Sequence, residues 1–308
     1  MPEGPHVYKR GPWYYLLAAE GGTTEGHRIT IARSSNIWGP YEVHDQNPIL
    51  DVCQDKSYIQ HTGHGDLFQD LYGEWFIVCL GVRKREGSYI MGRETFVAPV
   101  HWPERGWPSL KSIVTNPPVL PNRNPSENLV PSPVVSNQGM DLVFIRGSAP
   151  SRIQLSQGPP GLVLRPLPAA FTNPVGLIAF AGKRQRRLNG TATATLDDPG
   201  LREARGLEAG LAYYRDENRF ARIFWSSQKS AIEFEFVNAP RALHSRAEFL
   251  FRPNGTTRFC IAHSEKALSF YFSDEGGPWR EAGGVRTLDI SGSDFVGPVT
   301  GGVWDRCP

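Results

Sequence analysis

His6-Val7-Tyr8-Lys9-Arg10-Gly11-Pro12-Trp13-Tyr14-Tyr15-Leu16-Leu17 reads as two short strands about a Gly-Pro turn, because apolar and aromatic residues flank a pair that cannot continue a strand. About 60 residues further on the pattern returns as His64-Gly65-Asp66-Leu67, then Gly73-Glu74-Trp75-Phe76-Ile77-Val78. That offset suits one propeller blade with its insertions, and two copies predict about two blades, fewer than the four or so that close a propeller. Outward from the repeat, Arg28–Arg33 and Glu94–Val100 add further strand patterns, and no segment carries a long helical period. The first part of the chain is therefore expected to be all-β.

A stretch crowded with Pro, Asn and Ser follows, including Asn116-Pro117-Pro118, Pro121-Asn122-Arg123-Asn124-Pro125 and Pro131-Ser132-Pro133. Such composition predicts a linker, so the chain divides into a partial propeller over residues 1–115, a linker over 116–137 and a second domain over 138–308. In the second domain Gly161–Arg165, Gly190–Leu196, Ala209–Tyr214, Ala231–Val237, Ala247–Phe251, Thr257–Ala262 and Ala267–Ser273 read as strands, which predicts an antiparallel β-sandwich. The alternation Ile232-Glu233-Phe234-Glu235-Phe236 predicts one wet and one buried face. The basic run Lys183-Arg184-Gln185-Arg186-Arg187 is read as a solvated edge.

A formal net charge of +2 gives no support to a nucleic-acid partner, which would call for a basic face or stripe. No apolar run reaches the length of a membrane span, and Met1-Pro2-Glu3-Gly4-Pro5 is not a signal peptide. Cys53, Cys79, Cys260 and Cys307 show no metal-ligand spacing and neither demand nor exclude disulfides.

Five colinear blocks carry a resemblance. They are Glu3-Gly4-Pro5-His6-Val7-Tyr8 with Tyr14–Thr23; His27 with Thr30-Ile31-Ala32-Arg33-Ser34; Ile37-Trp38-Gly39-Pro40-Tyr41-Glu42 with Asn47-Pro48-Ile49-Leu50; Thr62-Gly63-His64-Gly65-Asp66-Leu67; and Gly92-Arg93-Glu94-Thr95-Phe96. In this order they resemble glycoside hydrolase family 43, the β-xylosidase and α-L-arabinofuranosidase group. Leu155–Leu164, Glu208–Tyr214 and Asp294-Phe295-Val296-Gly297-Pro298 resemble the concanavalin A-like C-terminal sandwich of the xylosidase branch. The resemblance implies an all-β fold, a partial five-bladed propeller followed by that sandwich. It also implies inverting hydrolysis of pentosides, with xylo- or arabino-oligosaccharides as substrates.

The family uses three carboxylates: an Asp base, an Asp that tunes the acid, and a Glu acid. By its place in the motif Glu3 matches the general acid. The two Asp belong to segments before this motif, and only two residues precede Glu3 here, so the resemblance implies a chain holding the acid and not the base. An acid of this kind protonates the leaving oxygen while a second carboxylate about 6.5–9.5 Å away activates water. Asp51, Asp66 and Asp70 are the nearby carboxylates, and nothing in their spacing recommends them as a substitute base; turn and surface roles are expected.

Arg93 matches the substrate-contacting Arg, whose planar fork donates two hydrogen bonds, and its bland alternative is a strand-end ion pair. His64 matches a His near the propeller axis, His27 is a pocket-lining candidate, and Phe295 lies in a block resembling a loop packed towards the active site. No cofactor is implied beyond a structural calcium near the axis, for which no ligand set is assigned. Trp38 and Trp75 are read first as strand-packing residues and second as sugar-stacking ones. The competing reading of the whole chain is a non-catalytic carbohydrate-binding or degenerate fragment, and open blade edges predict self-association or a complementing chain.

Overall fold

The computed structural model describes residues 2–51, 58–110, 113, 142–146, 153–155, 162–165, 167, 170–173, 175–196, 206–251, 255–274 and 277–306. The linker expected over 116–137, Cys53 and Cys307 lie outside the described residues. Two compact units emerge, one of Met1–Asn124 with Ser293–Phe295 and one of Pro125–Gly292 with Val296–Pro308.

The first unit contains two four-stranded antiparallel meanders. Strands β1 (Glu3–Arg10), β2 (Trp13–Glu20), β3 (Arg28–Ser34) and β4 (Glu42–Val43) form one, in chain order. Strands β5 (Ile59–Gln69), β6 (Trp75–Arg85), β7 (Ser88–His101) and β8 (Ser109–Leu110) form the other. This is the blade topology that the repeat predicts. Trp13 and Trp75, the tryptophans of the repeated pattern, open the second strand of each sheet.

Alternation decides which face is buried. Tyr15 and Leu17 of β2 point inward with Ile29 and Ile31 of β3, and they pack with Leu67, Ile77, Cys79 and Phe96 of the second blade. Each fully buried Leu or Ile contributes about 1.5–3 kcal/mol. Trp102 meets Tyr15 edge-on at 5.0 Å and Trp75 at 4.7 Å, so Trp75 is a packing residue as expected. The Tyr8 hydroxyl donates to Asp66 Oδ1 at 2.6 Å and accepts from the Leu67 amide at 2.8 Å. That pair of bonds fixes β1 against β5, the two strands that carry Glu3 and His64. Asp70 accepts from the amides of Tyr72 and Glu74, the turn role expected of it.

Trp38 departs from its expected packing: it is 90% exposed, in a turn after β3. The turn accounts for this. Asn36 Oδ1 accepts from the Trp38 amide at 3.0 Å and the Tyr41 hydroxyl donates to Ile37 O at 2.8 Å, which braces the backbone with the indole outward.

The second unit is a β-sandwich. Short strands β9 (Ile153–Leu155) and β10 (Leu162–Leu164) pair with each other. Then come β11 (Ala179–Arg184), β12 (Gly190–Leu196), β13 (Leu207–Asp216), β14 (Arg219–Ser226), β15 (Ala231–Asn238), β16 (Leu243–Leu250), β17 (Thr257–His263), β18 (Ala267–Asp274), β19 (Arg280–Arg286) and β20 (Val299–Arg306). A six-stranded sheet in the order β11-β20-β13-β14-β15-β16 packs on a four-stranded sheet β12-β17-β18-β19. Between them lie Tyr213, Ile223, Phe234, Phe259, Phe270 and Phe272, all buried. The basic run at 183–187 leaves the edge strand β11 and is largely exposed, as read from the sequence.

One expectation is overturned. Glu233 and Glu235 are buried rather than wet, at 0% and 6% exposure. The second face of the six-stranded sheet is covered too, by a cluster in which Phe171 meets Phe220 edge-on at 5.0 Å. The carboxylates survive burial because cations reach them: Arg222, opposite Glu235 in register, donates to Glu235 at 2.7 Å and to Glu208 at 2.8 Å, and Lys229 and Arg246 each donate to Glu233 at 2.8 Å. Burial pushes the Glu233 carboxyl up, but the bonds from Lys229 and Arg246 outweigh it and hold the group below its ordinary value.

The Cys79 thiol is buried and pushed up to about 12, and Cys260 is also free. Among the described residues no helix is long and apolar enough to cross a membrane.

Candidate active site

The first residue of β1 is Glu3, and its side chain is 45% exposed. A bulge interrupts the β1–β2 pairing between Glu3 and His6. Within it Gly4 adopts φ +52°, and a Cβ there would lie 3.0 Å from His64 Nε2. Only glycine satisfies both demands without strain. The bulge turns the Glu3 carboxylate out of the sheet pattern, towards two imidazoles. His27 Nε2 is 3.5 Å from Glu3 Oε1, and His64 Nδ1 is 3.8 Å from the same oxygen.

Those imidazoles come from different places. His27 stands just before β3, its amide bonded to Thr24 O at 3.0 Å. His64 projects from β5, whose pairing with β6 slips twice, between Gln60 and Gly63 and between Gly63 and Asp66. His61 and His64 on this bulged strand have φ of 55° and 48°. Non-glycine residues are uncommon in that region, and such backbone strain concentrates at functional sites. His61 Nε2 lies 2.8 Å from the Tyr89 hydroxyl.

The His27 ring packs closely against Gly63 of β5. A Cβ on Gly63 would sit 2.2 Å from its Cδ2 and Nε2. Gly63→Ala is therefore expected to displace the ring or the strand and to destabilise the first unit by about 1–3 kcal/mol. Urea denaturation checks this, and a variant as stable as the parent would show that the ring has room to move.

Arg93 of β7 completes the group. Its amide donates to Phe295 O at 3.1 Å, its guanidinium lies 3.9 Å from the Phe295 ring centroid, and it donates to the Thr23 hydroxyl. Phe295 in turn stacks on Tyr89, with 5.9 Å between centroids and 13° between planes. Glu3, His27, His64, Arg93 and Phe295 thus converge in the first unit. The surroundings differ from the simplest expectation at one point: His27 is 1% exposed, so its free nitrogen faces Glu3 and not an open wall. Sequence reasoning did not single out His61, Gly63, Tyr89 or Thr23 as site residues. Gly63 and Thr23 sit inside quoted motif blocks, whereas the roles of His61 and Tyr89 depend on the bulged register, which no local pattern announces.

Burial holds His27 below its ordinary value, helped by the positive charges of Arg93 and His64 and opposed by the His61 carbonyl and Glu3. Burial likewise lowers His61. In the unfolded chain both rings take a proton near the ordinary histidine value of 6.5, whereas folded they resist it. Below about pH 6.5 the unfolded state therefore binds more protons, and stability is lost as pH falls through that range. The melting temperature is expected to drop between about pH 6.5 and 5; a rise over that interval would contradict the assignment of these rings as buried and neutral.

Among the described residues no three His, Cys, Asp or Glu side chains are grouped to hold a metal ion.

Residues 1–108 match the family described as glycosyl hydrolases family 43, and residues 136–303 match the beta xylosidase C-terminal concanavalin A-like domain. A non-reducing end alpha-L-arabinofuranosidase of Bacteroides ovatus is 40% identical over 226 residues, covering 70% of this chain and 42% of that protein. The beta-xylosidase of Bacillus subtilis is 41% identical over 119 residues, covering 35% of this chain and 22% of that protein. Among solved structures, the Bacteroides ovatus xyloglucan PUL GH43B protein superimposes with a TM-score of 0.79 at 30% identity, covering 99% of this chain and 62% of that one. The GH43 BlXynB protein of Bacillus licheniformis gives 0.79 at 28% identity, covering 99% and 61%. The chain thus spans less than half the length of these two curated relatives.

Proposed function

The chain belongs to glycosyl hydrolases family 43 and carries its beta xylosidase C-terminal concanavalin A-like domain, and from that premise we propose that it bears the general-acid half of an exo-acting glycosidase for β-xylosides and α-L-arabinofuranosides. The observation that carries the reading is the approach of His27 and His64 to the Glu3 carboxyl on the first blade, with the Arg93 charge felt at His27. The names of the relatives, an arabinofuranosidase and a β-xylosidase, support the substrate class.

In this reading Glu3 protonates the departing glycosidic oxygen. Its exposure leaves one face of the carboxyl open to substrate. Arg93, held over Phe295, presents guanidinium donors to sugar hydroxyls, and planar Arg donors suit vicinal oxygens. Water attack on the opposite side of the sugar requires a second carboxylate acting as general base. Hydrolysis with inversion follows if that carboxylate stands about 6.5–9.5 Å from Glu3.

The test is hydrolysis of xylobiose and of an arabinofuranosyl disaccharide, whose leaving groups need a proton, by the purified chain and by Glu3→Gln. Turnover present in the first and lost in the second supports the reading. Equal rates in both remove Glu3 from the chemistry, and sugar binding without turnover favours a carbohydrate-binding module.

A further inference from the structure

We propose that the outer face of the four-stranded sheet β12-β17-β18-β19 is a glycan-binding platform for an extended, neutral pentose polysaccharide. The platform lies wholly in the second unit and shares no residue with the site around Glu3. Only the choice of a pentose polymer rests on the substrate class proposed above.

Strand β12 shows how the face is made. Ala192, Ala194 and Leu196 pack on the core, so Thr191, Thr193 and Thr195 alternate outward and are exposed. Register carries that face across the sheet: Thr193 pairs with Cys260 of β17, and Cys260 pairs with Tyr271 of β18. Phe270 and Phe272 turn into the core on either side, so Tyr271 stands on the outer face, with Ser269 two residues away.

A second aromatic ring meets the face at one end. Thr195 pairs with Arg258, whose Nη2 donates to Ser273 Oγ at 2.7 Å, to Gly277 O at 2.9 Å and to Asp274 O at 3.3 Å. The guanidinium fixed in this way lies 5.0 Å from the ring centroid of Trp279, which is 44% exposed. A large ring braced while open to water is preorganised for a ligand, because little ordering remains to be done on binding. Tyr271 stands one strand across and two residues along from Arg258, about 8 Å by strand geometry. One oligosaccharide can therefore span both rings.

The chemistry of the face selects its ligand. Its charged side chains, Arg258, Glu281 and Arg286, lie at the margins and mix both signs, so there is no basic stripe for a polyanion. Among the described residues no Leu, Ile, Val or Phe is exposed on it, so it lacks the aliphatic centre of a protein interface. Short hydroxyl side chains around two aromatic rings remain. Sugar C–H faces pack on such rings, and sugar hydroxyls exchange hydrogen bonds with Thr and Ser. Short side chains also lose less rotamer freedom when covered than the Lys and Glu of an ordinary solvated face. The six-stranded sheet offers no counterpart, because its outer face is covered by the Phe171 cluster.

The experiment is affinity electrophoresis of the full chain in gels with and without soluble, uncharged arabinoxylan. Tyr271→Ala, Trp279→Ala, Thr193→Lys and Arg93→Ala run alongside, each checked for a cooperative melting transition. The parent and Arg93→Ala are expected to be retarded alike, and loss of either ring is expected to weaken binding about tenfold. Thr193→Lys leaves the core intact, because the position is exposed, and lays a long charged chain over the platform; its retardation is expected to vanish. An unretarded parent overturns the proposal. So does retardation that survives the three platform substitutions, or that is lost in folded Arg93→Ala. Binding is read without turnover, so a chain that is retarded yet cleaves nothing refutes the functional reading alone. One that cleaves the disaccharides without being retarded refutes the platform alone.

Discussion

With the general base in place, Glu3→Gln is expected to slow hydrolysis of xylobiose or an arabinofuranosyl disaccharide by about 10²–10⁴-fold, the usual worth of one general acid–base group. On a p-nitrophenyl glycoside the loss is expected to be much smaller. The difference lies in the leaving group. A sugar alkoxide is a poor anion and needs its proton in the transition state, whereas nitrophenolate departs with little help. The amide of Gln keeps the shape of the carboxyl beside His27 and His64 but has no acidic proton. Such a loss corresponds to about 2.7–5.5 kcal/mol of transition-state stabilisation. The measurement is kcat/KM on both substrate types for both proteins. If the two substrates suffer alike, Glu3 positions the sugar and does not protonate it, and the acid must be sought elsewhere.

The parts of this site that were readable in advance are those tied to local motif. Glu3, His64 and Arg93 sit in short blocks whose order and spacing mark them, and the repeated Trp13 and Trp75 announce the start of the second strand in each blade. What escaped depends on register. Nothing in Thr62-Gly63-His64 shows that β5 bulges twice, and those bulges bring the His61 carbonyl onto His27 Nδ1. The surface position of Trp38 was equally hidden, because it follows from the turn made by Asn36 and Tyr41 and not from any property of the tryptophan.

The sandwich shows a different limit. Alternation in Ile232–Phe236 identifies two faces, but it cannot say that both are covered. Covering depends on residues far away in sequence, Phe171 and Phe180 among them. Strand β14 was also absent from the strands suggested by the sequence, and it supplies Arg222, the cation that makes burial of the opposite face tolerable. A hydrophobic pattern reports on its own segment, whereas an ion pair across a sheet is a property of two.

Arg222→Met is accordingly expected to be among the most destabilising single changes in the second unit, by about 3–5 kcal/mol. The guanidinium is 4% exposed, donates through Nε to Glu235 and through one terminal nitrogen to Glu208, and lies 4.0 Å from the Phe224 ring centroid. Methionine fills much of the same volume, so packing changes little and the loss is electrostatic: two carboxylates, 11% and 8% exposed, are left facing each other without their shared cation. In a domain of this size the melting temperature should fall by about 2–4 °C for each kcal/mol. Arg222→Lys should recover only part of the loss, because one ammonium cannot reproduce a fork that reaches two carboxylates at once. The decisive comparison adds Glu208→Gln and Glu235→Gln to Arg222→Met. If the cost is stranded charge, the triple variant regains most of the stability, since removing every member of a buried ion pair is often nearly neutral. If the triple variant is no more stable than Arg222→Met, the arginine matters for its contacts with Phe224 and Phe171 instead, and the network holds the sheet together by packing.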